Sequence, residues 1–347
     1  MVEKKDNKFV FKELSKRNLL DHDLRPRSFR EFIGQERAKT NLKIFLKAAK
    51  MREEPLDHVL LLGMPGLGKT TLSHIIANEL QVEMKTTSGP ALEKAGDLVG
   101  LLSNLKRGDV LFIDEVHRLS RNVEEYLYSA MEDSAVDLVL DQGPAARSVR
   151  VHLQRFTLIA ATTREGLLSA PFRSRFGVLE KLELYPDEEL APILERSAGI
   201  LEMRITAEAI GLLAARSRGV PRIANRLLRR IRDLNQVKKS AEVTRAIVEE
   251  GLAMMGIDSA GLVSTDRHIL SAVAKGEGEP VGLKTIAVSV GEDEGTIEEV
   301  YEPYLIQKGF LVKTPRGRKV TGPGMKHLSQ NADAPGTDLN SFKGLFS

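Results

Sequence analysis

An α/β chain, with a parallel sheet first, a wholly helical unit second and a smaller basic unit last, is predicted by three patterns. Four short apolar runs, HVLLLG (58–63), DVLFIDE (109–115), FTLIAATT (156–163) and VLEKLEL (178–184), are bounded by turn residues and mostly separated by helical stretches. Such runs suit strands buried on both faces of a parallel sheet. After Tyr185-Pro186-Asp187 the periodicity becomes helical throughout. A break near Gly256–Ser264 then opens a segment ending in a basic, hairpin-like turn, KTPRGRKV (313–320).

Taken in order, the charged leader ends near Leu20 and lacks the roughly 7–15-residue apolar core of a secretion signal. No run approaches the ~20 apolar residues of a membrane span, and cysteine is absent, which excludes disulfides and cysteine-based zinc sites. A soluble, cytoplasmic protein with no membrane contact is expected. The segment 24–50 turns at Pro26 and enters an amphipathic helix with Leu42, Phe45 and Leu46 on one face. The helical unit reads as ELAPILERSAGIL, AEAIGLLAARSR, PRIANRLLRRIRDLNQ and AEVTRAIVEEGLAMM. In the last unit DRHILSAVAK and IEEVYEPYLIQKGF read as helices, and residues 322–347, polar and rich in Gly, Asn and Asp, as a mostly disordered tail. A net charge of +3 is too small to imply nucleic acid by itself. The clustering of basic residues at 222–233 and 313–319 says more.

The chemistry begins at Gly63-Met64-Pro65-Gly66-Leu67-Gly68-Lys69-Thr70, an eight-residue P-loop pattern with an apolar strand before it and the helical TTLSHIIANEL after it. That order is what the pattern requires: glycines let backbone N–H groups wrap phosphates, and the helix N-terminus adds its positive dipole. Lys69 would neutralise the β- and γ-phosphates of ATP, and the Thr70 hydroxyl would ligate Mg²⁺. The run DVLFIDE ends in Asp114 and Glu115, so a buried strand points two carboxylates at the same place. Asp114 then holds the magnesium shell, and Glu115 polarises the attacking water. A third strand ends in Ala161-Thr162-Thr163, a weak signal alone, and Arg175 in SRFG reads without further context as a surface arginine.

At this point the residues resemble a family. GMPGLGKTT, TTSGPALEKAGDL, LFIDEVHRL, AMED, GPAARS, FTLIAATTR, SRFG, GVPRIANRLLRR, EPYLIQKGF and TPRGR are similar to the RuvB family of bacterial Holliday-junction branch-migration motors, over about residues 24–322. The resemblance implies an AAA+ core (1–186), a helical lid (187–257) and a winged-helix head with its tail (258–347). It implies ATP and ADP as ligands, a homohexameric ring, and action on four-way junctions with a RuvA-type junction-binding protein and a RuvC-type resolvase. Carried over by position, Leu24 and Arg25 flank the adenine with Tyr185, Thr71 joins the P-loop contacts, Thr163 is sensor 1 and Arg222 sensor 2. Arg175 becomes a finger acting on the neighbouring subunit's nucleotide, with Arg173 brought to the same side by strand-like spacing. Glu132, Asp133 and Ser134 also contact that neighbouring nucleotide. The segment 136–153 becomes the hairpin that docks on the RuvA-type partner, through alternating Val136, Leu138 and Leu140; an ordinary core hairpin is the alternative. Lys313 and Arg318 match positions that contact DNA backbone, against a merely solvated basic turn. Glu294 stands where a basic residue is expected, Met64 where proline is common and Glu279 where glycine is common. A clamp-loader-like switch and a base-reading transcriptional regulator are the rival functions.

Overall fold

The structure is a computed structural model describing residues 24–139 and 148–330. The chain divides into two compact units, 1–183 and 184–347.

The first unit is built on a five-stranded, all-parallel sheet of order β2-β3-β6-β1-β7. Its strands are β1 (Val59–Leu62), β2 (Met84–Ser88), β3 (Val110–Asp114), β6 (Thr157–Thr162) and β7 (Val178–Lys181). Every residue of β1 and β6 is buried, because both are apolar runs with a strand on each side. The edges differ: β7 alternates buried and exposed, and β2 is half-buried along most of its length. Helix α1 (Glu36–Arg52) buries Ala38, Leu42, Leu46 and Ala49, a single stripe at helical spacing. Phe45, expected on that stripe, is instead exposed beside Ile44. It lies about 100° around the helix from Leu46, which carries it past the edge of the stripe. Helices α2 (Lys69–Leu80), α3 (Ala95–Leu102), α4 (Arg121–Asp133) and the one-turn α5 (Ala170–Arg173) also belong to the unit. A hairpin of β4 (Ala135–Val139) and β5 (Ser148–His152) leaves the end of α4.

In the second unit, α6 (Asp187–Ile200), α7 (Ala207–Arg216), α8 (Pro221–Lys238) and α9 (Arg245–Met254) follow one another, as their apolar spacing predicts. In α8, Ala224, Leu227, Leu228, Ile231 and Leu234 face inward, while Arg222, Arg226 and Arg230 form an outer row. The head adds α10 (Ser264–Ala274), α11 (Leu283–Val290) and α12 (Glu294–Thr296). A π-turn (Ile297–Tyr301) leads from α12 into α13 (Glu302–Gln307), and β8 (Leu311–Thr314) and β9 (Gly317–Val320) form an antiparallel wing. Pro303, which cannot donate, sits at the first turn of α13, where the ladder is already broken. Arg218 joins the lid helices to the head: it pairs with the fully buried Asp266, donates to Gly261 O at 2.9 Å and lies over the Tyr304 ring. Burial pushes the Tyr304 hydroxyl up to about 12, and that hydroxyl donates to Ala260 O.

The tail expectation needs correction. Residues Gly322–Gln330 form a helix, α14, rather than disordered chain. His327 anchors it, stacked on Phe310 and 3.0 Å from Asp258 Oδ2. A Cβ on Gly324 would lie 2.4 Å from Phe310 O, so the glycine is what allows this approach. Positions 331–347 lie outside the described residues.

Candidate nucleotide site and nucleic-acid interface

All the nucleotide motifs in the first unit emerge at the carboxyl ends of the parallel strands, where ligands of open α/β sheets bind. Gly63, Gly66 and Gly68 have φ of 139°, 84° and 103°, a left-handed path that side chains resist. Gly63 is held from both sides: its N–H donates to Thr162 O at 3.2 Å, and an added Cβ would meet Leu182 O at 2.7 Å. Lys69 begins α2 and is nearly buried; its Nζ donates to Gly63 O at 2.6 Å and Met64 O at 2.9 Å. The loop therefore curls around its own lysine, and the carbonyls hold the ammonium at the mouth of the cradle. Thr70 and Thr71 follow, half-buried. Met64, standing where proline is common, offers its carbonyl to Lys69.

Two strands away, across β6, Asp114 tips β3 and its Oδ1 accepts the Glu115 N–H at 2.9 Å. Glu115 has φ 49° and pairs with Arg118 at 3.0 Å. Between them β6 carries Thr162, whose hydroxyl lies 2.9 Å from His117 Nδ1 and accepts the Arg164 N–H. Thr163 is half-buried just past that strand. One hydroxyl (Thr70), one carboxylate (Asp114) and a lysine beside an N–H-lined loop are the donors that a magnesium–triphosphate pair requires. Leu24 is buried and Arg25 half-buried in the same unit; Tyr185, buried, and Arg222, exposed at the second residue of α8, belong to the second.

A separate cluster gathers the residues assigned to a neighbour's nucleotide. Arg175 Nη2 lies 3.0 Å from Glu132 Oε1, its Nη1 donates to Pro171 O at 2.5 Å, and its guanidinium sits 4.3 Å from the Tyr128 ring centre. Asp133 pairs with Arg150 of the hairpin, and Ser134 caps α4 with φ 50°. The strand-like spacing of Arg173 and Arg175 is corrected: Ala170–Arg173 is helical, and Arg173 goes to Glu165 instead. Sequence reasoning missed Tyr128. Its signal was available, since Glu124, Tyr128 and Glu132 recur every fourth residue on one face of α4.

The hairpin's apolar face is graded. Val136 pairs with Val151 and Leu138 with Val149, all on one side. Val136 is buried in the core, Leu138 and Val151 pack against it, and Val149 is 45% exposed. The base therefore belongs to the domain core and only the outer end presents an apolar surface. Leu140, also assigned to this face, and the GPAARS motif up to Arg147 lie outside the described residues.

In the head, Lys313 and Arg318 are direct cross-strand partners on β8 and β9. Lys313 is exposed and pairs with Glu298 at 2.9 Å, a bond that draws the Glu298 carboxyl below the usual range. Arg318 departs from expectation. It is 7% exposed, with Nε and Nη2 committed to Glu302 and Nη2 also to Glu298. Only Nη1 makes no hydrogen bond among the described residues, so Arg318 is first a strut between wing and α13 and at most a single-nitrogen contact to a phosphate. Arg316, missed by sequence reasoning, is exposed at the tip of the wing. The stretch leading into α13, from the cap of α12 through the π-turn, carries Asp293, Glu294, Glu298 and Glu299, an acidic run unsuited to entering a DNA groove.

Three family models cover almost all the described chain: the Holliday junction DNA helicase RuvB P-loop domain over residues 24–182, the RuvB AAA lid domain over 185–258 and the RuvB C-terminal winged-helix domain over 259–329. Among solved structures, the Thermotoga maritima RuvB Holliday junction branch migration motor is 51% identical, with a TM-score of 0.81 over 88% of this chain and 98% of that one. A lysine-to-arginine mutant of the Thermotoga protein is 50% identical over the same shares, with a TM-score of 0.82. With motifs, sheet order and all three domains in agreement, the chain belongs to the RuvB family of Holliday-junction DNA helicases.

Proposed function

We propose that this chain is an ATP-driven motor that moves the branch point of four-way DNA junctions, as a homohexameric ring beside a RuvA-type junction-binding protein and upstream of a RuvC-type resolvase, in the cytoplasm. The observation that carries the reading is the lysine-capped loop after β1, with the acid-tipped β3 across β6 from it, in a chain whose last domain carries a basic wing. The domain divisions 1–186, 187–257 and 258–347 follow the same logic.

In this reading Gly63, Gly66, Gly68, Lys69, Thr70 and Thr71 hold the phosphates, and Leu24, Arg25 and Tyr185 hold the adenine. Thr70 and Asp114 are the residues that would hold Mg²⁺, which would supply charge neutralisation to the phosphates. Glu115 leaves Arg118 to orient the attacking water, and Thr163 and Arg222 sense the γ-phosphate from strand and lid. Arg175 serves the neighbouring subunit's site, exchanging its Glu132 carboxylate for a phosphate, with Asp133 and Ser134 at the same boundary. Val149 and the outer hairpin meet the RuvA-type partner. Lys313 and Arg316, with Arg318 behind them, meet the DNA backbone, which serves a motor that must hold any sequence. The test is unwinding of a synthetic four-way junction with ATP, with and without the RuvA-type partner. DNA-stimulated hydrolysis without any junction movement would replace this reading with the clamp-loader-like switch.

A further inference from the structure

The Arg175 guanidinium has three supports, and they differ in strength. Glu132 is 57% exposed, so its ion pair is screened and readily exchanged. The Tyr128 ring and the Pro171 carbonyl hold the guanidinium from the protein side, where the arginine side chain is only 19% exposed. A cation over an aromatic face gains as water is removed, so the ring is the support that persists when Glu132 lets go. The ring itself is fixed. Its hydroxyl donates to Glu124 and meets Ser169 Oγ at 2.8 Å, and Ser169 Oγ donates to Glu124 Oε1 at 2.5 Å. Ser169 also caps α5 by accepting the Phe172 N–H at 3.2 Å, which ties the loop carrying Arg175 to α4. Phe172 packs against Tyr128 on one side and Phe176 on the other. Meanwhile Arg175 Nε is buried with no hydrogen-bond partner among the described residues. That placement costs folding stability, as is common where a side chain is arranged for a ligand outside its own chain.

We propose that Tyr128 is the positioning residue of the trans-acting arginine: its ring is the platform that holds the Arg175 guanidinium aimed at the neighbouring subunit, at an angle set by the Glu124–Tyr128–Ser169 bonds. The proposal rests on the reading of Arg175 as that arginine. Glu132 is the exchangeable partner; Tyr128 is the fixed one. The platform acts on transition-state charge and leaves the subunit's own nucleotide grip untouched, so its loss falls on kcat rather than KM.

The experiment uses full-length rings on DNA. Tyr128→Met, an unbranched helix former of similar length, is expected to lower kcat about tenfold while KM and binding of a fluorescent ATP analogue stay near wild type. Tyr128→Phe keeps the ring and loses only the anchor, so a fall of about threefold is expected. Mixed with Lys69→Ala chains, Tyr128→Met chains should recover hydrolysis, because an intact P-loop then faces an intact platform. Mixed with Arg175→Ala chains they should not. Wild-type kcat in Tyr128→Met, beside a silent Arg175→Ala ring, overturns the proposal alone; so does recovery with Arg175→Ala instead of Lys69→Ala. A wild-type rate in Arg175→Ala itself would remove the reading beneath it. Should Tyr128→Met melt early, Tyr128→Phe and Ser169→Ala decide, and wild-type kcat in both overturns the proposal.

Discussion

In the proposed reading Lys69 and Glu115 act at different moments, and their surroundings support it. Lys69 is held by two loop carbonyls at the mouth of the cradle, where it would meet ground-state phosphates. Lys69→Ala is expected to abolish tight ATP binding, measured by titration. Glu115 is parked on Arg118 in a half-exposed pair and is free to turn toward water. Glu115→Gln should keep binding and lose about 10²-fold or more in turnover; undiminished turnover would remove the assignment of Glu115 to the attacking water. His58 offers a stability test. Its Nδ1 accepts the Leu158 N–H at 2.9 Å and its Nε2 lies 3.4 Å from Met131 O. Burial holds it below the ordinary histidine range, against the smaller opposing pulls of the Met131 bond and Asp57. The unfolded chain then binds a proton at higher pH than the folded one. The stabilisation is complete above about pH 6.5 and is lost as pH falls from there toward the folded value. Melting temperatures from pH 7.5 to 5 should drop more steeply for wild type than for His58→Gln, and parallel slopes would contradict this. The residues most legible in the sequence were those whose chemistry depends on covalent spacing, such as Lys69 after Gly68 or Glu115 after Asp114. Tyr128 and His117 were not, because their partners, Arg175 and Thr162, are 47 and 45 positions away and meet them only in the folded domain.

Elements were legible in proportion to how fully they are buried. The strands β1, β3, β6 and β7 and the four lid helices follow from apolar runs and 3.6-residue spacing. Strand β2, MKTTS, has one apolar residue in five and pairs on one side only, so no run announced it. Helix α14 reads as tail because Gly322, Pro323 and Gly324 open it, yet Gly324 is there to let the backbone reach Phe310. The hairpin divides in the same way: alternation revealed the strand, but its buried base shows that Val136 serves the core. The wing carries the element-scale prediction. Lys313 and Arg316 point outward while Arg318 braces the wing through Glu302 and Glu298. Replacing Lys313 and Arg316 by Ala should weaken binding about equally on unrelated duplexes and reduce the log–log salt slope by ~0.9 for each phosphate no longer neutralised. Arg318→Ala, by contrast, leaves two carboxylates facing an emptied site and should lower the melting temperature as well. A change of sequence preference at constant slope would favour a base-reading regulator.

For the whole molecule the question is whether one chain contains a complete active site. The P-loop, Asp114 and Glu115 share the carboxyl end of one sheet, whereas Arg175 is held beside Glu132 and Tyr128 of α4, engaged with its own chain's carboxylate. A guanidinium so held, its Nε without a hydrogen-bond partner among the described residues, suits a role at a subunit boundary, where a neighbour's phosphate would replace Glu132. Trans arginines contribute about 10³–10⁵ in rate in other nucleotide hydrolases, so Arg175→Ala rings should be nearly silent while still binding ATP. Mixing supplies the sharper measurement. Arg175→Ala chains keep the P-loop and Lys69→Ala chains keep the arginine, so every interface that sets the first beside the second in the right order is whole. In randomly assembled equal mixtures about a quarter of interfaces meet that condition, since two independent choices of one half must coincide. Hydrolysis should rise from near zero to a maximum near equal proportions, and junction movement should recover less, because translocation needs successive working sites around the ring. If mixed rings form, as shown by native mass, yet hydrolyse no faster than either parent at any ratio, Arg175 acts within its own chain and the shared site does not exist.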